Sequence, residues 1–403
     1  TRVRSSAASD VYKRQQLIVA QFTGDPGFSD ASATLDQRVV ALFSGLNLSP
    51  HFDHCTVPCS LTFEARAYDA NGAPVAGAHI TATIIRNGGS PQTVDLVANP
   101  LGRAALPLAS GSAGIVDVSA TFTDSGGMVF TSNPVTGFYN PSGRDPAIGI
   151  LVGFDSTTST MGTCGATSVN GTTNPFDPQV TPSASGLVVV TAGHCVYGGP
   201  GPRHYYANWV FIPTPQGCSP AAYTYAAWQA YFASPPESCA PVGAWQGVSG
   251  SALVSTDYQK TDDHAEDFAY IRMTPQSGSG ATPNDATGGR TIGFFPNQQD
   301  GFKITAYLGF TAPATCSDHH VGTFMVGPYS SFNLFEAQCN LGTLHAPEGA
   351  SGGPWIDLKT GTLGLVNDTA TGSADTPASE MYGAQLEDDA VNAWSCIDTG
   401  TYC

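Results

Sequence analysis

The sequence predicts an all-β protein of two domains, on three observations. At 403 residues the chain is longer than one ordinary hydrophobic core supports. Its 46 glycines and 29 prolines supply turns and interrupt helices. Its clearest apolar patterns repeat with a period of two, the spacing that sends alternate side chains to one face of a strand.

Taken in order, the opening TRVRSSAASDVYKRQ resembles translated adaptor sequence, so about the first 15 residues are set aside as non-native. Residues 1–50 form a leader with no assigned role, carrying an apolar run at 17–20 and an expected helix around 35–43. Residues 51–140 form the first domain. Alternation is clean over 61–67 and returns at Val116, Val118, Ala120 and Phe122, with Ile80, Ala82 and Ile84 between them. Asn-Gly and Gly-Gly turns separate these runs, as in a small antiparallel sandwich. The string DANGAPVAGAHITATI, followed by LGRAALPL, resembles bacterial Ig-like and carboxypeptidase-regulatory-like modules. That resemblance implies an Ig-like β-sandwich and says little about activity.

A stretch rich in Pro, Gly and Asn at 140–146 places the domain boundary, with residues 141–403 as the second domain. Short β-type runs follow at 186–190, 209–212, 268–273, 303–310 and 362–366. The exception is the C-terminus, where Leu386, Ala390 and Trp394 recur every four residues and predict a short amphipathic helix.

Composition excludes several classes of function. A net charge of −17 repels nucleic acid and anionic membrane surfaces alike. No apolar run approaches the roughly 20 residues that span a bilayer. With 41% apolar and only 12% charged residues, the chain is a folded one rather than a disordered one. Ten cysteines fall into consecutive pairs, among them Cys55–Cys59, Cys218–Cys239, Cys316–Cys339 and Cys396–Cys403. That pattern suits disulfides in an oxidising compartment, and a secreted, extracellular protein follows as an inference from cysteine usage, since no signal peptide with an apolar centre is visible. Zinc is the competing reading for His51, His54, Cys55 and Cys59, but their spacing matches no common structural-zinc pattern.

Three local motifs carry chemistry. Hydrolysis by a serine requires a hydroxyl that loses its proton, a base that takes it, and donors that hold the developing oxyanion. In VVVTAGHC an apolar strand delivers His194 at its end. In EGASGGPW, Ser351 sits among glycines that let the backbone turn sharply. Between them, Asp267 abuts the strand that follows it, whereas Asp262, Asp263 and Glu266 belong to an acidic loop. The serine string also satisfies G-x-S-x-G, the nucleophile elbow of α/β-hydrolases, but that fold needs its histidine after the serine and none follows His345. A second serine-rich string around Ser249 fails too, since no aspartate lies between His194 and Ser249.

With TAGHC, the Asp267 strand and GASGGPW in that order, the second domain resembles the chymotrypsin-like serine peptidases, nearest to their bacterial trypsin-like and glutamyl-endopeptidase-like branches. The resemblance implies a double β-barrel with the cleft between barrels, His194 and Asp267 from the first and Ser351 from the second. It implies a catalytic triad of His194, Asp267 and Ser351, an oxyanion hole from the backbone N–H groups of Gly349 and Ser351, and a Cys164–Cys195 disulfide fastening the histidine loop. The residue directly before the nucleophile is Ala350 rather than an aspartate, so activity is not expected to depend on a freed N-terminus near Ile148. His345 stands six residues before Ser351, where trypsin-like enzymes carry the aspartate that selects Lys or Arg. An imidazole there removes the reason for basic preference; an acidic preference and a surface histidine in a shifted loop both remain open. No metal or organic cofactor is expected, and protein or peptide substrates are the expected partners. An esterase-type acyl hydrolase on the same barrels, and a non-catalytic adhesion or binding protein working through the Ig-like module, are the competing functions.

Overall fold

A computed structural model describes residues 16–22, 31–37, 45–69, 72–174, 177–198, 203–222, 224–296, 300–307, 310, 313–319, 322–324, 334–338, 350–371 and 380–400. Among these, strands dominate and helices are short.

The leader departs from its expectation. Ala31–Gln37 is a strand, paired antiparallel with Gln16–Phe22 in a register that sets Ile18 opposite Leu35. The helix expected around 35–43 therefore does not form at its start, and 38–44 lie outside the described residues. The apolar run at 17–20 offers a β partner, and pairing satisfies backbone groups that a short isolated helix holds only marginally.

Two sheets then build a sandwich. One orders Phe52–Thr56, Val135–Asn140, Gly114–Thr123, His79–Arg86 and Gln92–Val97, with Val129–Thr131 paired to Gly114–Thr123. The other sets Cys59–Tyr68 between Gly45–Ser49 and Arg103–Ser110. Along Cys59–Tyr68 the side chains of Leu61, Phe63, Ala65 and Ala67 turn inward, as the sequence alternation requires. They meet Ile80, Ile84, Val116, Val118 and Phe122 from the opposite sheet in one core. The Tyr139 hydroxyl donates to the Leu108 carbonyl across the two sheets at 2.6 Å. Cys55 and Cys59 are joined in a disulfide, which removes both thiolates a zinc ion there would need.

From Ile148 onward the strands build a barrel. Ile148–Asp155 pairs with Thr160–Asn174 and with Ala207–Pro213. Thr160–Asn174 pairs with Val188–Thr191, which pairs with Ala269–Arg272. A bridge from Gly247 to Met273 and the pairing of Trp245–Gln246 with Ala207–Pro213 close the circuit. The second unit centres on Leu363–Thr371, bonded to Arg290–Gly293, Pro354–Asp357 and Glu380–Gln385. Gly301–Tyr307 lies beyond Pro354–Asp357. The C-terminal helix, Asp388–Thr399, buries Ala390, Trp394 and Ile397 against Val190 and Tyr270 of the first barrel. Its end is pinned by Asp398, which accepts from Ser183 Oγ (2.6 Å) and the Ala184 N–H (2.7 Å).

The stretch at 140–146, where the domain boundary is expected, is tied down near both ends while Ser142 and Gly143 are exposed. Asn140 is fully buried and donates from Nδ2 to the Ala286 carbonyl at 3.0 Å. Asp145 holds the guanidinium of Arg290 through Nε (2.8 Å) and Nη2. Two residues before Asn140 in the sandwich, Phe138 joins the core that holds Leu151, Phe211 and Trp245 of the first barrel. The sandwich and the barrel therefore share apolar surface. Phe138→Ala is expected to cost about 3–5 kcal/mol, as large-to-small changes at well-packed aromatic sites do, and to open the 140–146 segment to protease. Urea unfolding with limited proteolysis measures both; a variant as stable and as resistant as the wild type contradicts the shared core.

Candidate active site

The Val188–Thr191 strand is apolar and β-branched, and all four residues are buried. Its antiparallel register sets Thr191 opposite Ala269, so the residues just after one strand and just before the other meet at the same end. His194 lies in the 3-10 turn Gly193–Cys195, and Asp267 ends the short turn His264–Glu266. The Asp267 carboxylate is fully buried. It accepts the His194 backbone N–H through Oδ1 at 2.7 Å and bonds the ring Nδ1 through Oδ2 at 2.5 Å. Gly193 is required here, because a Cβ would stand 2.7 Å from Asp267 Oδ1. The Cys164–Cys195 disulfide ties the histidine turn to the neighbouring strand.

Ser351 arrives from the second unit. Gly352 beside it has φ +77°, and a Cβ there would meet Thr191 Oγ1 at 2.2 Å and the Gly165 carbonyl at 2.4 Å. Only glycine lets the turn press this closely on the first barrel. The Gly165 N–H donates to the Ser351 carbonyl at 2.7 Å, one residue from the disulfide that holds His194. The Ser351 hydroxyl donates to the main-chain carbonyl of Asp368 at 3.3 Å rather than to the imidazole. Among the described residues no acceptor meets the Ser351 backbone N–H. Gly349 and His345 lie outside the described residues, as do Cys339 and Cys403. Cys218–Cys239 forms as expected, and Cys316 and Cys396 are disulfide-bonded. Ser249 occupies an exposed turn.

Two residues of the cluster escaped the sequence reading. Asp368, on Leu363–Thr371, is buried with Oδ1 3.8 Å from His194 Nδ1. His264 Nδ1 lies 3.1 Å from each Asp368 carboxylate oxygen. The available signal was an Asn-Asp pair interrupting an apolar strand pattern at 367–368, where an acid is costly unless it has partners.

Electrostatics follow from this packing. Burial disfavours the charge on His194, but the charge and hydrogen bond of Asp267, with Asp368 adding, overcome it and carry the imidazole up to about 9. Burial also opposes the charge of Asp267, and His194 outweighs it, bringing the carboxyl down to about 2. Burial and then the Asp267 charge push Asp368 up to about 7. A hydrogen bond to Asp368 raises His264, with burial opposing it.

Two groups of side chains have ligand atoms within metal-binding reach among the described residues: Cys164, His194 and Cys195, and His194, Asp267 and Asp368. The cysteines of the first are spent in their disulfide. In the second, the 2.5 Å contact of His194 with Asp267 is closer than two donors of one ion, which at zinc–nitrogen distances stand about 3 Å apart.

Among the described residues the fold is thus mostly β: a sandwich, then a barrel with a second strand unit joined to it, and a short C-terminal helix. No protein-family model matches the chain, and no curated protein matches it. Among solved structures it is similar to the protease Anisep from Arthrobacter nicotinovorans, at 20% identity and a TM-score of 0.47, covering 63% of this chain and 96% of that one. It is similar to the thermostable serine protease AL20 from an extremophilic microorganism, at 18% identity and a TM-score of 0.47, covering 63% and 98%. It is also similar to the D00–D0 domain of intimin, at 14% identity and a TM-score of 0.20, covering 34% and 77%.

The His194–Asp267 pair has a signed consequence for stability. Asp267 is lowered from 3.8 to about 2, so its contribution is present above 3.8 and lost as pH falls through 2. His194 is raised from 6.5 to about 9, so its contribution is full below 6.5 and lost as pH rises through 9. The window of greatest stabilisation is therefore about pH 4 to 6.5. With the imidazole one-third exposed (33%) and the interaction discounted for solvent, raising the pH from 6 to 10 is expected to cost about 1 kcal/mol, or about 1–2 °C in Tm. Thermal unfolding across pH checks this: Asp267→Asn should flatten that alkaline fall, and an equally steep fall in the variant contradicts it.

Proposed function

We propose that the chain is a secreted serine endopeptidase in which His194, Asp267 and Ser351 act as a triad. The observation that carries this reading is the buried Asp267 carboxylate bound to both the ring and the backbone of His194, with the Ser351 turn seated against the strand that bears Cys164.

On this reading Ser351 Oγ attacks the scissile carbonyl while neutral His194 takes its proton through Nε2. Asp267 fixes the ring with Nδ1 protonated and stabilises the imidazolium that forms. The backbone N–H groups of Ser351 and Gly349 receive the developing oxyanion. The imidazolium then hands its proton to the leaving amine, and water repeats the sequence in reverse to free the acyl group. Because His194 must be neutral to act as base, its raised basicity sets an acid limb above 6.5 and an alkaline optimum.

Ala350 is buried in an apolar cluster, which supports activity that needs no inserted amine. Ile148 begins an internal buried strand. The disulfides support an oxidising, extracellular setting. No described helix is long and apolar enough to cross a membrane. Protein or peptide substrates fit this chemistry; an acidic preference, suggested by the place of His345 six residues before Ser351 in the sequence, is part of the proposal.

Fluorophosphonate labelling tests the reading. The full-length chain should label without cleavage near Ile148, and Ser351→Ala should abolish labelling and lower turnover by about 10⁶-fold. Absence of labelling in the wild type favours a binding protein; labelling with ester but no casein turnover favours an esterase. Strong cleavage after Arg or Lys in a peptide library overturns the acidic preference.

A further inference from the structure

The site holds one carboxyl group more than the triad uses. Asp267 and Asp368 are both buried, and their nearest oxygens and His194 Nδ1 lie within 4.8 Å of one another. Two carboxylates this close cannot both stay ionised without a compensating proton or cation. Asp267 already has its compensation from the His194 ring and backbone. For Asp368 the partner is His264, whose Nδ1 is equidistant from its two oxygens at 3.1 Å. The His264 side chain is 27% exposed, so this imidazole joins the cluster without being sealed inside it.

Position strengthens the reading. Asp368 sits on a strand of the second unit, while His194, Asp267 and His264 belong to the first barrel. Its main-chain carbonyl accepts the Ser351 hydroxyl. One residue therefore touches nucleophile, base and acid from the far side of the interface between the units. Among the described residues Tyr258 also faces Asp368, with Arg203 over its ring, and Asp262, which pairs with Arg203 at 2.5 Å, acts on His194, His264 and Tyr258. With Asp262 neutralised by Arg203, His264 is the group positioned to supply or withdraw a proton at Asp368.

We infer that Asp368 is a positioning residue of this site, which together with His264 forms a second carboxyl–imidazole couple behind His194 and Asp267 and tunes the basicity of His194 from across the interface. Below neutral pH the Asp368 carboxyl keeps its proton and donates a hydrogen bond to Asp267. As pH rises the proton leaves by way of His264, and the negative charge left 3.8 Å from His194 Nδ1 makes that ring a stronger base. The step is a proton transfer only, from carboxyl oxygen to imidazole nitrogen to water.

The inference rests on the peptidase reading for its meaning but is tested apart from it, by NMR titration of the His194 and His264 ring protons. In the wild type the His194 curve should carry a second inflection near pH 7, where Asp368 titrates. In Asp368→Asn the His194 pKa should fall by about one unit, the size of effect expected for removing a nearby carboxylate, and His264 should fall toward its ordinary value. Asp368→Ser, of smaller volume, should do the same, so that one unfolded variant does not decide the matter. The acid limb of kcat/KM should move down by the same amount in both. A monophasic wild-type curve, or a His194 pKa within about 0.3 units of the wild type in a folded variant, overturns the inference. Ring titrations that behave as expected in a protein that fluorophosphonate does not label would instead overturn the peptidase reading and leave the couple standing.

Discussion

The arrangement depends on burying one carboxylate. Asp267 is wholly removed from water, and an unpaired ionised carboxylate there would be untenable. Its oxygens are met by the His194 ring and backbone N–H, and the backbone donor exists only because the histidine turn is held at the end of the Val188–Thr191 strand. Gly193, the Cys164–Cys195 disulfide and the Thr191–Ala269 register all serve that placement. What looks like a catalytic detail is also the reason the first barrel closes at this corner.

The second unit is joined to the same point. Gly352 and Gly353 press against Thr191, Gly165 and Thr305 at distances that exclude any side chain. Main-chain bonds from Gly165 to Ser351 and between Asn367 and both Gly352 and Gly353 lock the serine turn from either side. At the serine turn the two units meet through the main chain of Gly165, Ser351 and Gly352, where geometry varies little. Such a rigid mount suits a group that must be held within a fraction of an ångström of its partner. The sandwich adds a further brace, because Phe138 and Asn140 enter the first barrel's surroundings as buried residues and not as a tether.

Periodicity and motif were legible in the residues. Alternation at Leu61, Phe63, Ala65 and Ala67 determined a strand with one buried face, and it has one. The four-residue recurrence of Leu386, Ala390 and Trp394 determined a helix, found at Asp388–Thr399. The leader misled because an apolar run and a mixed segment read in isolation do not reveal that each is the other's partner. At 140–146, Pro, Gly and Asn describe backbone freedom and are silent on which side chains are buried, as Asn140 is.

By itself the sequence determined which residue types stand where: a histidine after an apolar strand, a serine among glycines, an acid before a strand, and paired cysteines. These are local facts, carried by spacing along the chain. Only the tertiary structure decided that Asp368 and His264, 104 residues apart, converge behind His194, and that Ser351 presents its hydroxyl to Asp368. Charge interactions act through space and depend on burial, and neither distance nor burial is written in the order of residues.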